Sequence, residues 1–410
     1  MASGMTSSRA SSGASSTATG TAAASGSAGS GSGLPGRRAL GAGALAALGT
    51  VALSACGGGP DGRGPAPDRT GPAAAEPGGD RRMPDEAAPH ELTYMSWPSR
   101  RVWKSYAHAV REDIARIART IAEFEPVTLL ADERDAKAAR RACGSGVEIL
   151  PVPVDDLWMR DTGPSFVLGP DGVAGVDLNF NGWGGKQEHA RDSEVARRIL
   201  SGLRVPRVRA PIVGEGGAIE VDGAGTLLAT ESSLVNDNRN PGKSRDDIER
   251  ALKPLFGVTQ VLWVDGVRGE DITDYHIDSL ARFAEPGVVV MSTPAPTAPD
   301  DVWTKVYRQA REALSEAKDA RGGSLDLVSL PEPTHIGRRG PDFLASYVNY
   351  YVANDAVIMP RFGDRKADSG AASIVRELYP GREVTQLPVN ALGEGGGGIH
   401  CATQQLPKAP

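Results

Sequence analysis

The sequence predicts an α/β fold in a single folded domain, from three observations. Short apolar runs alternate with amphipathic stretches from Glu91 onward, and no break or linker interrupts them. A strand-strand-helix-strand order recurs along the chain without any repeat at the residue level. The composition, 40% hydrophobic and 23% charged over 410 residues, can bury a large core.

The elements follow in order. Leu92 to Ser96 reads as a first strand, and Trp103 to Phe124 has the apolar spacing of a helix. Val127 to Leu130 and Val147 to Val152 read as strands on either side of a helical pattern, Glu133 to Ala142, that ends at Cys143. Val173 to Leu178, the helix Ser193 to Leu203 and the strand Val208 to Val213 form the next group. Thr226 to Ala229, the helix Ser244 to Leu255 and Gln260 to Val264 repeat it, as do Gly287 to Ser292, Asp301 to Ala317 and Leu325 to Leu330. Phe343 to Val348, Ala356 to Met359, the helix Ala371 to Leu378 and Val384 to Val389 complete the series.

Three regions are expected: a leader over 1–56, a tether over 57–89 and a folded domain over 90–410. The Ser, Gly, Ala and Thr before Leu34 bury too little apolar surface to offset ordering entropy. Arg37-Arg38 before the apolar stretch Ala39 to Ala55 reads as an export signal. Its end, Leu53-Ser54-Ala55-Cys56, resembles a bacterial lipobox, whose cysteine is lipidated after cleavage. An uncleaved anchor is the alternative. Either way the folded part is expected on the outer face of the cytoplasmic membrane; in the cleaved form, membrane contact is through the lipid on Cys56 alone. Gly57 to Pro89, rich in Gly, Pro, Asp and Arg, is expected to be a flexible tether.

A formal net charge of −6 supplies no basic field for a polyanion, so nucleic acid is excluded as a partner and cationic substrates are favoured. With Cys56 set aside, Cys143 and Cys401 make no disulfide framework, although a bridge between these two stays open. A homodimer is the oligomeric expectation.

Cys401 lies in a glycine run, Gly395-Gly396-Gly397-Gly398-Ile399-His400-Cys401, where bare backbone leaves room for a substrate. A nucleophilic thiol needs access and a nearby imidazole, and His276 with Asp278 offers one. A core cysteine beside a flexible tail is the alternative. In an extended segment His276 and Asp278 face one side, because side chains alternate. Asp161, in Trp158-Met159-Arg160-Asp161-Thr162-Gly163-Pro164, is either a carboxylate at a strand exit or half of a salt bridge. Asn179-Phe180-Asn181-Gly182-Trp183-Gly184-Gly185-Lys186 forms turns or a ligand loop. Glu215, between Gly214 and Gly216-Gly217, meets a cationic ligand or only turns the chain.

A thiol, an imidazole and isolated carboxylates, with no Cys-x-x-Cys or His-Glu-x-x-His pattern, favour covalent chemistry on a cation. A guanidinium fits, since carboxylates hold its planar fork and leave its carbon open to a thiolate. A papain-like peptidase usually places its cysteine before its histidine, and a zinc hydrolase needs a further histidine at ligand spacing. A binding lipoprotein would need the carboxylates without the thiol.

These motifs, in this order, resemble agmatine deiminases and the related bacterial peptidylarginine deiminases over roughly Glu91 to Pro407. The resemblance implies the pentein fold, a five-module α/β propeller with pseudo-fivefold symmetry, and guanidine hydrolysis with no metal or organic cofactor. It implies Cys401 as nucleophile, His276 as general acid and base, and Asp161 and Asp278 as the grip on the guanidinium. Asn349, in Ser346-Tyr347-Val348-Asn349-Tyr350-Tyr351, resembles a polar residue near the nucleophile, and Glu215 lies in a family motif. The chain departs from the pattern at Gly398 and Ala402, where relatives usually carry Asn and Ile. A small cationic guanidino substrate follows, agmatine ahead of peptidylarginine because the chain has no second domain to hold a polypeptide. Trp97 and Trp183 are candidates to wall its aliphatic stem, or are simple core.

Overall fold

The computed structural model describes residues 80–409. The expected leader, Cys56 and the first part of the tether lie outside the described residues. Strand β1 (His90–Ser96) pairs in parallel with β2 (Val127–Ala131), and β2 with β3 (Val147–Pro151). The helices Ala107–Ile121 and Glu133–Cys143 make these crossovers, as parallel strands require. Val110, Ile114, Ile117, Ala118 and Ile121 put one apolar face of the first helix into the core.

The same unit then recurs. A hairpin of two antiparallel strands leads through a helix to a third strand parallel to the second. It is built by β4 (Ser165–Gly169), β5 (Gly172–Asp177), the helix Val195–Leu203 and β6 (Arg207–Arg209). Next come β7 (Ile219–Val221), β8 (Thr226–Thr230), the helix Arg245–Phe256 and β9 (Gln260–Val264). The helix start is fixed by a capping box between Ser244 and Asp247. Strands β10 (Ala281–Glu285), β11 (Val288–Thr293) and β12 (Asp326–Pro331) enclose the helix Val302–Glu316. Strands β13 (Tyr351–Val352), β14 (Ala356–Pro360) and β15 (Glu383–Leu387) enclose the helix Arg365–Leu378. The C-terminal strand β16 (Thr403–Pro407) returns to pair antiparallel with β1 and gives the first sheet its hairpin partner. Five separate sheets result among the described residues.

Several expectations need correction. Phe343 to Val348 forms no strand; Tyr347 is buried and Phe343 half-buried in irregular core, and pairing is confined to Tyr351–Val352. An apolar run reports burial, and only a partner makes it a strand. Trp103 to Phe124 is not one helix: Lys104, at φ 46°, divides a short turn from the helix proper. The first strands β4, β7 and β10 of the later units, and the C-terminal β16, were not expected at all. These strands bury Ser165, Glu220, Arg282, Gln404 and Gln405, so polar residues hide the apolar alternation on which a strand is recognised.

The tether is also too long as expected. Arg82 exchanges two backbone hydrogen bonds of 2.8 Å with Leu168, and Met83 N–H donates to Phe256 O at 3.0 Å. Glu86 is buried among Arg160 (2.8 Å), Arg282 (3.0 Å) and His400 (2.9 Å). Residues 82–89 are therefore part of the fold. Their Gly and Pro neighbours and their charges read as solvated linker, yet the charges are matched inside the protein.

Candidate active site

The short turn Met159–Thr162, the loop before Ile219, the turn Ile277–Ser279 and the turn His400–Ala402 converge on a narrow slot. Asp161, Trp158, Trp183, Ile272, Thr273, His276, Asp278, Ser279, Gly395–Gly397 and Cys401 line it. Its volume is about 20 Å³, room for about one water.

Cys401 lines the slot at 9% exposure. Its thiol donates to Asp278 Oδ2 at 3.4 Å. Asn349 Nδ2 donates to Cys401 Sγ at 3.2 Å, and Asn349 Oδ1 accepts from the Cys401 backbone N–H at 3.3 Å. Burial pushes the thiol well above the ordinary cysteine range, and the Asp278 and Asp161 carboxylates add to it; the Gly398 N–H and the Asn349 amide work the other way. Cys143 and Cys401 are both free, which removes the bridge between them.

His276 lines the same slot. Nε2 faces Glu215 Oε2 at 3.3 Å and Nδ1 faces Asp161 Oδ1 at 3.7 Å. Burial opposes a charge on this ring, but Asp161, Glu215 and Asp278 outweigh it and push the imidazole up to about 9. Asp161 is itself pushed up to about 6, first by burial and then by Glu215 and Asp278, against the pull of His276. Asp278 is held below its ordinary value: His400, His276 and the thiol hydrogen bond overcome the burial that would raise it.

The route by which His276 and Asp278 share the slot differs from the expected extended strand. Asp274 (φ 59°) and Tyr275 (φ 70°) take the left-handed region, His276 is extended, and Ile277–Ser279 turns as a 3₁₀ helix. Two consecutive non-glycine residues there store strain, and the Asp274 carboxylate anchors them through Arg239 (2.5 Å), Lys186 (2.7 Å) and the Gly269 N–H (2.8 Å). Trp183 is likewise left-handed, at φ 54°, with its Nε1–H on Asp161 Oδ2 at 3.0 Å and its ring edge-on to Phe180. Gly217 has to be glycine. A Cβ there would lie 2.6 Å from His276 Nδ1, 2.9 Å from Asp161 Oδ1 and 3.1 Å from Asp278 Oδ2.

Of the expected residues, Asp161, Trp183, His276, Asp278 and Cys401 line the slot, and Asn349 holds the thiol from behind. Trp97 is not among the lining; it is buried in the core with the Arg111 guanidinium 5.4 Å from its ring centroid. Glu215 turns away from the expected cationic ligand: it meets His276 and, at 2.9 Å, Arg239. The glycine run opens less space than expected. Side chains at Gly395, Gly397 and Gly398 would strike Trp103, Trp158 and Asn349 respectively, so bare backbone here admits protein side chains.

Sequence reasoning missed Trp158 as a wall, Arg239 as the partner of Glu215, and His400 and Glu86 behind Asp278. Trp158 and His400 stood inside the quoted motifs, but their side-chain directions are set by distant chain segments. Among the described residues, no group of three or more His, Cys, Asp or Glu side chains could hold a metal ion.

The sequence pattern of the Porphyromonas-type peptidyl-arginine deiminases matches residues 82–407. The chain belongs to that family. It is 38% identical over 355 residues to the agmatine deiminase of Stutzerimonas stutzeri, covering 79% of this chain and 95% of that one. It is 37% identical over 356 residues to an agmatine deiminase of Pseudomonas aeruginosa, covering 80% and 95%. A solved structure of the Enterococcus faecalis agmatine deiminase superposes with a TM-score of 0.74 at 30% identity, over 80% of this chain and 96% of that one. The family match begins at Arg82, where the described chain first pairs with the fold.

Proposed function

We propose that this protein is a hydrolase that deiminates a guanidinium group, with agmatine as substrate and N-carbamoylputrescine and ammonia as products. The observation that carries the reading is the convergence of Cys401, His276, Asp161 and Asp278 on one buried slot. The relatives named agmatine deiminases, matched over most of their own length, support the choice of substrate. The five strand-strand-helix-strand units are proposed to stand as a propeller about a pseudo-fivefold axis, with the slot near that axis.

In the proposed chemistry the guanidinium lies between Asp161 and Asp278, each accepting N–H bonds from its fork. Its positive charge offsets the two carboxylates that raise the Cys401 thiol, so substrate binding itself favours the thiolate and the thiol proton is released to solvent. The sulfur forms a bond to the guanidinium carbon, and the carbon–nitrogen double bond opens to give a tetrahedral adduct. His276, protonated near neutral pH, gives its proton from Nδ1 to one NH₂ group. That C–N bond breaks, ammonia leaves, and an S-alkylthiouronium cation remains. Neutral His276 then takes a proton from the water that attacks the same carbon. The C–S bond breaks, the thiolate is restored, and the hydroxyl proton passes to ammonia, leaving the ureido product and ammonium. Glu215, itself fixed by Arg239, holds the imidazole through both halves.

The grip is tested by Asp161→Asn and Asp278→Asn, each expected to lower kcat/KM at least about tenfold, the worth of one charge-assisted contact. Asp271→Asn serves as control, because Asp271 accepts bonds from Thr273 and Tyr275 within its own loop. Equal, mild losses in all three variants would overturn the grip.

Substrate choice is tested by kcat/KM for agmatine, free arginine and a blocked arginine peptide under one condition. Agmatine is expected to lead. A preference for the blocked peptide would move the reading to peptidylarginine, and turnover of none of the three would remove it.

A further inference from the structure

Behind the slot lies a chain of buried charges that the proposed chemistry does not use. His400 Nδ1 meets Asp278 Oδ2 at 2.8 Å, and this is the same oxygen that accepts the Cys401 thiol at 3.4 Å. His400 Nε2 lies 2.9 Å from Glu86 Oε2. Glu86 is fixed in turn: it pairs with Arg160 and Arg282, and its Oε1 accepts the Val352 N–H at 2.8 Å. Arg160 continues to Gln405 Oε1 at 2.9 Å, and Arg282 stacks on Tyr350 with its guanidinium 4.8 Å from the ring centroid. His400 and Asp278 are at most 1% exposed.

An isolated carboxylate in a slot can rotate about its χ2 at little cost. Asp278 has to present one oxygen to the thiol while its carboxylate faces the slot, and among the described residues the only short side-chain donor fixing that oxygen from behind is His400. A histidine ring wedged between two carboxylates has no freedom of its own.

We propose that His400, clamped by Glu86 of the N-terminal segment, is a positioning residue that fixes the Asp278 carboxylate between the Cys401 thiol and the substrate cation. The clamp explains why residues 82–89 fold back into the protein: the segment delivers the carboxylate that closes the far side of the histidine. The inference rests on the proposed grip of Asp278 on a guanidinium, but its geometric core concerns the thiol alone.

Two substitutions separate positioning from mere structural tying. His400→Asn puts an amide nitrogen where Nδ1 stands and keeps the donor to Asp278; His400→Gln reaches towards Glu86 and loses that donor. Both remove the ring and any charge on it, so the difference between them reads the Asp278 contact against the Glu86 contact. The first measurement is the rate of Cys401 carbamidomethylation by iodoacetamide, followed by peptide mass and independent of turnover. The second is kcat and KM for agmatine. H400N is expected within about threefold of the parent in both rates. H400Q is expected about thirtyfold slower in kcat, with a larger change in kcat than in KM, and with altered Cys401 alkylation. Equal rates in the two variants, or H400Q above H400N, would overturn the proposal, as would failure of both to fold in a thermal melt. If the parent turns over no guanidine, the proposed function fails while the alkylation order still decides the role of His400.

Discussion

Cys401→Ala is expected to lower kcat for agmatine on the order of 10⁴-fold while leaving the fold and substrate binding in place. The size follows from what is lost. Without the thiol no covalent adduct forms, and the remaining groups can only polarise a guanidinium whose resonance makes direct attack by water slow. Binding survives because Asp161 and Asp278 are untouched, and because the thiol offers them nothing but a weak donor at 3.4 Å. The fold survives because Asn349 keeps its bonds to the Asp278 carbonyl (3.2 Å) and to the backbone N–H at position 401 (3.3 Å). Calorimetry should find an agmatine Kd within a few-fold of the parent. Acid-quenched parent enzyme should carry the mass of an amidino adduct on Cys401, and the variant should carry none. Turnover by the variant above about one per cent of the parent would remove Cys401 from the proposed role.

Much of this site was readable in one dimension, and the part that was not has a common physical cause. Cys401, His276, Asp161 and Asp278 are each marked by local chemistry: a thiol in a glycine run, an imidazole two residues from a carboxylate, a carboxylate at a turn. Residues whose meaning lies in a partner far along the chain left no such mark. Glu86 reads as one charge in a polar linker, and only its contacts with Arg160, Arg282 and His400, 74, 196 and 314 positions away by residue number, give it a place. Arg239 reads as surface charge in Asn238-Arg239-Asn240, yet its side chain is fully buried on Glu215 and Asp274. The fold divides the same way. Strands with one wholly apolar face, such as β14, were found, whereas β7, β10 and β16 carry buried Glu220, Arg282 and Gln405 towards the interior and broke the pattern. A buried charge is cheap only beside its counter-charge, and sequence spacing does not report which charges meet.

The strain in the slot points to the same economy of position. Trp183, Asp274 and Tyr275 all hold the left-handed backbone region, and each is fastened by a side-chain contact to a charged neighbour or to its own loop. A left-handed non-glycine residue costs on the order of 1 kcal/mol or more. Three of them around one slot are tolerated because the turns they make bring Asp161, His276 and Asp278 to within contact of Gly217, where no side chain intervenes.

His276→Asn is expected to lower kcat on the order of 10³-fold, within the range that a positioned acid and base supplies. In the parent the ring faces Asp161, Glu215 and Asp278, with Arg239 behind Glu215 and Cys401 in the lining of the same slot. Burial alone would favour the neutral ring, but the three carboxylates reverse this and raise its midpoint to about 9. The sign is that of a raised base: the imidazolium dominates below about 9 and is lost as pH rises through it. The free enzyme therefore holds the proton that departing ammonia needs at neutral pH. A bound guanidinium brings positive charge into the slot and should move the midpoint down, which eases the later transfer from water back to the ring. Glu215→Gln removes one of the charges that raise it and leaves Arg239 less compensated, so both changes push the same way. NMR titration of ¹³C-labelled histidine in the free enzyme should find the His276 resonance shifted to a lower midpoint in that variant by roughly one pH unit, about 1.4 kcal/mol. A His276 midpoint near the ordinary histidine value in the parent, or one unmoved by Glu215→Gln, would sink the assignment of this ring as the proton donor.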